Sequence, residues 1–324
     1  MPFAEKKLAT LRANSGGGTT TGTAAADLIY GHDGADTLYG RAGNDHMWGG
    51  PGADRIYGDA GTDTLYGEAG NDILTGGTGV SYLYGGEADD TLHYGPTSGS
   101  LAAVGNSLAD SLLDGGSGRD ALHIDNKATS TLDGETAPAT TRIIVTDQGA
   151  GSISFQEPEG ASYDAGQFSG MEKITVTGHG HLEFYGSYGY SGGIDVTGTT
   201  GDDLFHSDTA SDTMRSGGGD DTFFLSGYGG TDTIISGTSD NDTFYFDVFG
   251  GADVKLTGFN GAGSKLGDRL FFEDVSYGKN LITSIVETSG KTQFTIQADG
   301  GEYGPTKLTV DKTGLAEGID YFFA

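Results

Sequence analysis

The 324-residue chain has no cysteine, one tryptophan and six prolines, and only 17 basic residues stand against its 46 acidic ones. Without cysteine the chain cannot form a disulfide scaffold. It also lacks any apolar run of about 18 residues, which excludes a transmembrane helix. A formal net charge of −29 would repel phosphate groups, so the composition excludes a nucleic-acid-binding protein. Proline is too scarce for collagen.

Glycine, aspartate and aromatic residues are the types in excess. The chain has 60 glycines, and its acids comprise 34 aspartates and 12 glutamates. Low hydrophobicity with high net charge is typical of disorder, but 16 tyrosines and 16 phenylalanines are too many for a disordered acidic tail. Aspartate is short, tolerates turns and binds hard cations from loops. We therefore expect bound cations to neutralise the acids of a folded chain.

A nine-residue repeat runs through eight successive units from Gly22 to His93. The first position is glycine in every unit, the fourth is glycine in six, and the eighth is always apolar. The sixth position is aspartate in seven units, and Ser81 is the exception. The seven aspartates are Asp27, Asp36, Asp45, Asp54, Asp63, Asp72 and Asp90. Four positions that stay in phase over this length indicate a structural repeat.

Two of the units resemble a known calcium-binding repeat. GGPGADRIY at residues 49–57 and GEAGNDILT at residues 67–75 are similar to the haemolysin-type, or RTX, nonapeptide G-G-x-G-x-D-x-U-x. The resemblance implies an all-β fold, a right-handed parallel β-roll or β-helix solenoid with calcium-bound Gly/Asp turns and a C-terminal β cap. It also implies a secreted bacterial protein.

The physics of the unit agrees with this resemblance. Six glycine-rich residues can make a tight turn, and the remaining three can make a short strand with one apolar side chain pointing inward. Two units then close one coil, and coils stack at about 4.8 Å. Each sixth-position aspartate meets the one 18 residues later, and the two carboxylates with turn carbonyls can supply the roughly six to eight oxygens that Ca²⁺ prefers. Because the apolar core is so thin, it needs another source of cohesion, and we expect several bound calcium ions to supply it. Mg²⁺ fits such sites poorly, since it demands rigid octahedral geometry.

Five segments are predicted along the chain. Residues 1–21 form an N-terminal arm, either frayed or anchoring, with a short helix at AEKKLATLRAN and then a linker. Residues 22–93 are the first RTX block, and 94–197 are an irregular β-solenoid segment held by apolar contacts. Residues 198–253 are a second, looser RTX-like block, and 254–324 are the C-terminal β cap. Further candidate calcium ligands outside the first block are Asp120, Asp203, Asp212, Asp221, Asp232 and Asp242.

The C-terminal segment resembles the end of RTX proteins that are exported by type I secretion. The similarity rests on Leu256–Phe259 followed by Asp268, and on Asp320 followed by apolar residues to Ala324. The resemblance implies the type I secretion machinery as a partner. Calcium is scarce in the cytosol, so the aspartates would keep the chain unfolded until calcium outside the cell drives folding.

No catalytic constellation emerges from the sequence, and we expect a protein that is not an enzyme. His179 and His181 could share a transition metal, but they lack a third ligand. The acid pairs Asp89–Asp90, Asp202–Asp203 and Asp220–Asp221 could suggest acid–base chemistry, although their repeat phase favours calcium turns. An enzyme acting on polysaccharides remains the third hypothesis, because β-helices can carry such a groove.

The ninth position of the unit carries aromatic residues that should face outward. One face of the coils carries Tyr30, Trp48, Tyr66 and Tyr84, and the other carries Tyr39, Tyr57, Thr75 and His93. Such rows either stabilise the solenoid by stacking or form a docking surface for another copy or for a glycan. The leading hypothesis is a secreted, cell-surface, calcium-binding structural protein that self-assembles into a surface layer, matrix or filament. The alternative is a calcium-dependent adhesin or glycan-binding module.

Overall fold

The structure, a computed structural model, describes most of the chain, and the described residues form 32 strands and no helix. The described residues are 8–95, 99–100, 111–126, 128–132, 135–147, 150–156, 162–178, 180–186, 193–207, 210–226, 230–237, 240–247, 253–260, 267–273, 281–297, 305–317 and 320–323. The expected all-β class is confirmed. Within these ranges, nothing resembles a helix that could cross a bilayer.

The strands are short, as the nonapeptide unit predicts. The first fifteen are β1 (Ala9–Arg12), β2 (Thr19–Thr21), β3 (Asp27–Tyr30), β4 (Thr37–Tyr39), β5 (His46–Pro51), β6 (Arg55–Tyr57), β7 (Asp63–Ala69), β8 (Ile73–Thr75), β9 (Ser81–Glu87), β10 (Thr91–Tyr94), β11 (Gly99–Ser100), β12 (Ser111–Ser117), β13 (Ala121–Asn126), β14 (Ala128–Leu132) and β15 (Glu135–Pro138).

The other strands run to the end of the chain. They are β16 (Thr140–Asp147), β17 (Ala150–Gln156), β18 (Ser162–Ser169), β19 (Lys173–Gly178), β20 (His181–Tyr185), β21 (Asp195–Thr197), β22 (Leu204–His206), β23 (Thr213–Arg215), β24 (Thr222–Ser226), β25 (Thr231–Ile235), β26 (Thr243–Asp247), β27 (Asp253–Thr257), β28 (Arg269–Glu273), β29 (Leu281–Thr288), β30 (Lys291–Gln297), β31 (Thr306–Val310) and β32 (Tyr321–Phe323).

Two compact units make up the chain. Unit 1 comprises residues 1–139 and 152–173, and unit 2 comprises residues 140–151 and 174–324. The division falls within β17 and β19 and separates parts of the segment 94–197 that the sequence groups together.

Unit 1 is a parallel β-roll whose successive coils pair in register. One sheet has the order β1-β3-β5-β7-β9-β12-β18, and the opposite one has the order β2-β4-β6-β8-β10-β13. Ile29 pairs with Met47, and Leu38 pairs with Ile56, so each step is 18 residues. The eighth-position side chains of the repeat are fully buried. The sequence period therefore corresponds to half a coil, and the parallel β-roll solenoid is confirmed.

The β-roll begins before the repeat does. β1 pairs with β3, and β2 pairs with β4, so described residues of the N-terminal arm form the first coil. The short helix expected at this arm is wrong within residues 8–14, where Ala9–Arg12 is a strand. Pairing with the next coil satisfies the backbone of these residues, which outweighs their weak helix preference.

Unit 2 repeats the architecture with larger inward side chains. One sheet has the order β16-β20-β22-β24-β26-β28-β32, and the other has the order β21-β23-β25-β27-β31-β30-β29. Phe205, Phe223 and Phe244 are fully buried, and their rings stack at 4.8 and 5.0 Å. Outside the RTX-like block, β27, β28 and β32 continue the parallel stack, while β29, β30 and β31 pair antiparallel. Much of the predicted C-terminal cap is thus further coil.

Candidate calcium sites

The sixth-position aspartates of the first block form two buried columns. Each is at most 1% exposed, because it precedes the inward apolar residue by two positions and lies on the same face of its strand. One column consists of Asp27, Asp45 and Asp63. The other column consists of Asp36, Asp54, Asp72, Asp90 and Asp120. The 18-residue register of the coils thus brings together the aspartates that the sequence predicts to face each other.

After the first aspartate of each column, one carboxylate oxygen ties the coil to the previous one. The backbone N–H of Asp45 donates to Asp63 Oδ1 at 2.9 Å, and that of Asp54 donates to Asp72 Oδ1 at 2.8 Å. The same bond joins Asp90 to Asp120 at 2.8 Å across a longer coil of 30 residues. These bonds hold each carboxylate in a fixed orientation.

The second carboxylate oxygen has no hydrogen-bond partner. This holds for the Oδ2 atoms of Asp45, Asp54, Asp63, Asp72 and Asp90, all of which are buried. A buried, unpaired carboxylate oxygen costs about 1–3 kcal/mol or more when it is charged. The columns therefore contain charge that a bound cation would compensate.

The first glycine of each unit leaves room for such a cation. A Cβ placed on Gly58 would lie 2.7 Å from Asp63 Oδ2 and 2.6 Å from the carbonyl oxygen of Gly76, one coil further on. A Cβ on Gly40 would lie 2.5 Å from Asp45 Oδ2 and 2.7 Å from the carbonyl oxygen of Gly58. Carboxylate and carbonyl oxygens thus converge beside these glycines, and this all-oxygen donor set fits Ca²⁺.

Burial also changes the acidity of the columns. It raises the pKa of Asp45 and Asp54 to about 6, and that of Asp63, Asp72 and Asp90 to about 7, against backbone hydrogen bonds that lower these values. Repulsion from neighbouring carboxylates adds to the rise. Without a cation, the columns are therefore costly to keep ionised at neutral pH.

In unit 1, the residue at the end of each column is not an aspartate. In the first column Ser81 replaces aspartate, and its N–H donates to Ser111 Oγ at 3.1 Å. In the second, the N–H of Asp120 donates to Glu172 Oε2 at 2.7 Å. Glu172 cannot be identified from the sequence, because it lies 52 residues beyond Asp120 and outside any repeat.

Unit 2 holds two further columns with less regular coils. Asp203, Asp221 and Asp242 are joined by N–H to Oδ1 bonds of 2.8 and 2.9 Å, and Asp212 is joined to Asp232 at 3.1 Å. Burial raises the pKa of Asp221 and Asp242 to about 8, and the Oδ2 atoms of both lack a partner. The first aspartate is different: Asp203 Oδ2 accepts the N–H of Thr199 at 2.6 Å.

The longer column of unit 2 extends to a residue that the sequence did not identify as a calcium ligand. The N–H of Asp242 donates to Asp268 Oδ1 at 2.9 Å across 26 residues. One ligand atom each from Asp240, Asp242 and Asp268 lies within 4.8 Å of the others. Because Asp268 follows an irregular insertion, its spacing gave no signal.

The other acids and histidines singled out from the sequence lie apart from these columns. The outer acids of the three pairs bind backbone on the next coil: Asp89 Oδ1 accepts from Arg119, Asp202 Oδ1 from Asp220, and Asp220 Oδ1 from Asn241. His181 Nδ1 lies 2.7 Å from the carbonyl oxygen of Asp202. His179 falls outside the described residues, so the suggested histidine pair stays a prediction.

The aromatic rows stack as the spacing predicts. Tyr30, Trp48, Tyr66 and Tyr84 form one continuous stack with centroid distances of 4.7, 5.7 and 4.9 Å and nearly parallel planes. The guanidinium of Arg12 lies 5.0 Å from the centroid of the Tyr30 ring. Tyr39 stacks on Tyr57 at 5.0 Å on the other sheet. Within the first stack the rings cover each other's faces, so this row presents mainly ring edges outward.

A second outward stack, missed by the sequence analysis, runs along unit 2. It comprises Tyr185, His206, Phe224, Tyr245, Phe271 and Phe322, with successive centroids 4.6–5.2 Å apart. The last two residues lie outside the RTX-like block, so the periodicity could not place them.

Comparison with known proteins connects this geometry to a family. The RTX calcium-binding nonapeptide repeat matches residues 13–47, 21–56, 39–74, 48–83, 66–96 and 195–223. No curated protein matches the sequence. Among solved structures, the extracellular lipase LipA from Serratia marcescens is similar at 15% identity with a TM-score of 0.18. That comparison covers 92% of this chain and 38% of the lipase chain, so the chain spans well under half of its length.

Proposed function

The chain carries RTX calcium-binding nonapeptide repeats, which are typical of secreted bacterial proteins, and from this premise we propose a non-catalytic, cell-surface structural protein. Calcium binding outside the cell folds it, and the folded protein self-assembles into a surface layer, matrix or filament. The observation that carries the calcium step is the set of buried Oδ2 atoms without partners beside the unit-opening glycines.

Calcium acts here as part of the core. Each Asp column places carboxylates on successive coils, and each strand of the first block buries one apolar side chain, such as Leu65 or Leu74, between them. A metal that binds only the folded chain adds its binding free energy to folding. Because each coil is stabilised mainly by its neighbours, folding should be steep in calcium. The ligands we propose are the column aspartates and the facing turn carbonyls.

The absence of calcium in the cytosol would keep the chain competent for export. The proposed route is type I secretion, supported by the resemblance of the C-terminal sequence. Asp320 is fully buried in the folded chain, and its carbonyl accepts the N–H of Leu270 at 2.9 Å. This C-terminal segment would be accessible to an export machinery only before folding.

An exposed edge strand supports self-assembly. β29 stands at the end of its sheet order in unit 2, and its Ile285 and Val286 are 45% and 47% exposed. Alternate residues of a strand point to opposite sides, so neither side of β29 is covered at this point. A long apolar edge strand is a template for pairing with another chain. We propose that β29 pairs with a strand of a second copy.

A calcium titration followed by circular dichroism and electron microscopy tests the proposal. Purified protein in chelator at neutral pH should have a much weaker β signal than in calcium, gain the full signal steeply as calcium is added, and then form ordered assemblies. The double variant Ile285→Lys/Val286→Lys should fold with calcium and stay monomeric. Ile235→Lys is the matched control, because Ile235 is 37% exposed on the interior strand β25. A full β signal in chelator at neutral pH would refute the calcium step, and wild-type monomers in saturating calcium would refute assembly.

A further inference from the structure

The outward row on the second sheet of unit 1 is interrupted at one coil. Thr75 pairs with Tyr57 on one side and with His93 on the other. Tyr57 stacks on Tyr39 at 5.0 Å, and His93 meets His123 at 5.0 Å. Tyr57 and His93 therefore flank Thr75 on its two sides and are separated by two coil spacings, about 10 Å. A short threonine side chain stands where the row otherwise carries a ring.

The interruption opens into a cavity. Its volume is about 430 Å³, and its lining includes Tyr57, Thr75, Gly77, His93, His123 and Asp125. This volume lies within the range of about 300–1,000 Å³ that is usual for small-molecule sites. The lining belongs entirely to unit 1. Gly77 admits no side chain, because a Cβ there would run into the backbone of Asp59.

The width of the gap suits a single ring. A flat group placed midway between Tyr57 and His93 would lie about 5 Å from each. This matches the 4.7–5.7 Å spacing of the rings in the continuous row of the same unit. An occupant of ring thickness would thus complete the stack.

The polar groups of the lining decide which kind of ring fits. Thr75, His93, His123 and Asp125 offer hydroxyl, imidazole and carboxylate groups around the gap. Burial, and then the neighbouring His123, lower the pKa of His93, so its ring is neutral at neutral pH and can donate and accept. A sugar ring has an apolar face of C–H groups for aromatic faces and hydroxyls at its rim for such partners. The net charge of −29 and Asp125 disfavour acidic sugars.

We propose that this cavity binds one neutral sugar ring, inserted between Tyr57 and His93 in the place left by Thr75. The site goes beyond the structural role proposed above, and it gives the surface of unit 1 a means of holding a neutral glycan. The interruption differs from the ends of the rows because aromatic rings lie on both sides of one gap.

Ligand-observed NMR on the full chain in saturating calcium tests this site. The probes are a panel of neutral hexoses and N-acetylhexosamines, with N-acetyltyrosinamide as an aromatic probe. The key variant is Thr75→Tyr, which fills the gap with the residue type found at neighbouring positions of the row. The matched control is Thr21→Tyr, because Thr21 pairs with Tyr39 at the far end of the same row. His93→Ala removes one wall.

At least one sugar should bind saturably to the wild type and to Thr21→Tyr. Its affinity should fall by about tenfold or more in Thr75→Tyr and in His93→Ala. Circular dichroism checks that each variant folds with calcium, and Thr75→Tyr should fold at least as well as the wild type. Absence of binding for the whole panel, unchanged affinity in Thr75→Tyr, or binding of the aromatic probe alone would overturn the proposal.

Discussion

The repeat block of unit 1 and the RTX-like block of unit 2 use the same column of aspartates around different cores. In the first block the coils keep an 18-residue step from Asp27 to Asp90, and they keep it where Ser81 replaces aspartate. In the second, the steps lengthen from 18 to 21 and then 26 residues. The inward position carries leucine, isoleucine or methionine in the first block and mostly phenylalanine in the second.

The comparison shows how a solenoid can replace one source of cohesion by another. A buried phenylalanine removes more apolar surface from water than an aliphatic residue, and each stacked pair adds about 0.5–1.5 kcal/mol. The inner stack of Phe205, Phe223 and Phe244 and the outer stack through Phe224 both run along the less regular block. Strict periodicity is therefore needed where cations supply the cohesion, and it can relax where aromatic rings do.

When calcium is removed, the two blocks should unfold at different calcium concentrations. We expect β3–β10 to lose hydrogen-exchange protection at a higher calcium concentration than β22–β28, because the second block retains its aromatic stacks. This is the largest expected effect, since it amounts to complete unfolding of the first block. Hydrogen exchange with mass spectrometry across a calcium titration measures it. Loss of both blocks at one concentration, or of the second block first, would show that the aromatic core does not substitute for calcium.

The two blocks should also respond differently to loss of one carboxylate. Asp72→Asn removes the charge from an oxygen that has no protein partner, so the calcium concentration at mid-folding should rise by about fivefold or more, which corresponds to about 1 kcal/mol or more. In Asp203 the same change affects a carboxylate whose oxygens accept bonds from Thr199 and Leu182. The calcium midpoint of the second block should therefore move less in Asp203→Asn. Equal shifts would mean that both aspartates ligate calcium equally.

Protonation of the column aspartates at acid pH should partly replace calcium as a source of stability, and this effect should be larger in unit 2. The pKa values of column aspartates are raised above the unfolded value, so protonation stabilises the folded state: this contribution is complete below about pH 4 and is lost as pH rises through the folded pKa. The loss should occur around pH 6–7 for Asp45, Asp63 and Asp72 and around pH 8 for Asp221 and Asp242. In chelator, β structure should increase on acidification.

Hydrogen exchange at several pH values in chelator resolves this effect by block. The second block should remain protected to a higher pH than the first. The opposite order, or a metal-free chain that is least structured at acid pH, would contradict the role of desolvation in these columns.

The sequence predicts the part of the site that keeps the nonapeptide period. The two columns of the first block and the stacking of Tyr30 on Trp48 follow from spacing alone, because every coil there has the same length. Glu172 and Asp268 could not be found in this way, since insertions precede them and spacing is the only signal that links one coil to the next. The strands β1 and β2 were missed for a related reason: tertiary pairing, rather than their own residues, makes them strands.

The smallest expected effect concerns the second position of the nonapeptide unit, where the first block has an unusual backbone conformation. The family pattern has glycine there, but this chain has His32, Arg41, Asp59 and Glu68 at φ between 68° and 79°. A side chain in this left-handed region costs about 1 kcal/mol of folding stability. Replacement by glycine removes this cost, but the greater unfolded-state entropy of glycine offsets part of the gain. Arg41→Gly and Glu68→Gly should each stabilise the calcium-loaded block by about 0.5 kcal/mol.

Thermal unfolding in saturating calcium measures this gain as a small rise in the midpoint. Arg55→Gly is the control, because Arg55 is an exposed strand residue of β6 whose φ is not positive, and its replacement should lower the midpoint. If Arg41→Gly also lowers the midpoint, the side chain at the second position contributes more than its backbone strain costs. The departure from glycine would then be a stabilising feature of the first block, and the contrast with the aromatic block would rest on the aspartate columns and the core alone.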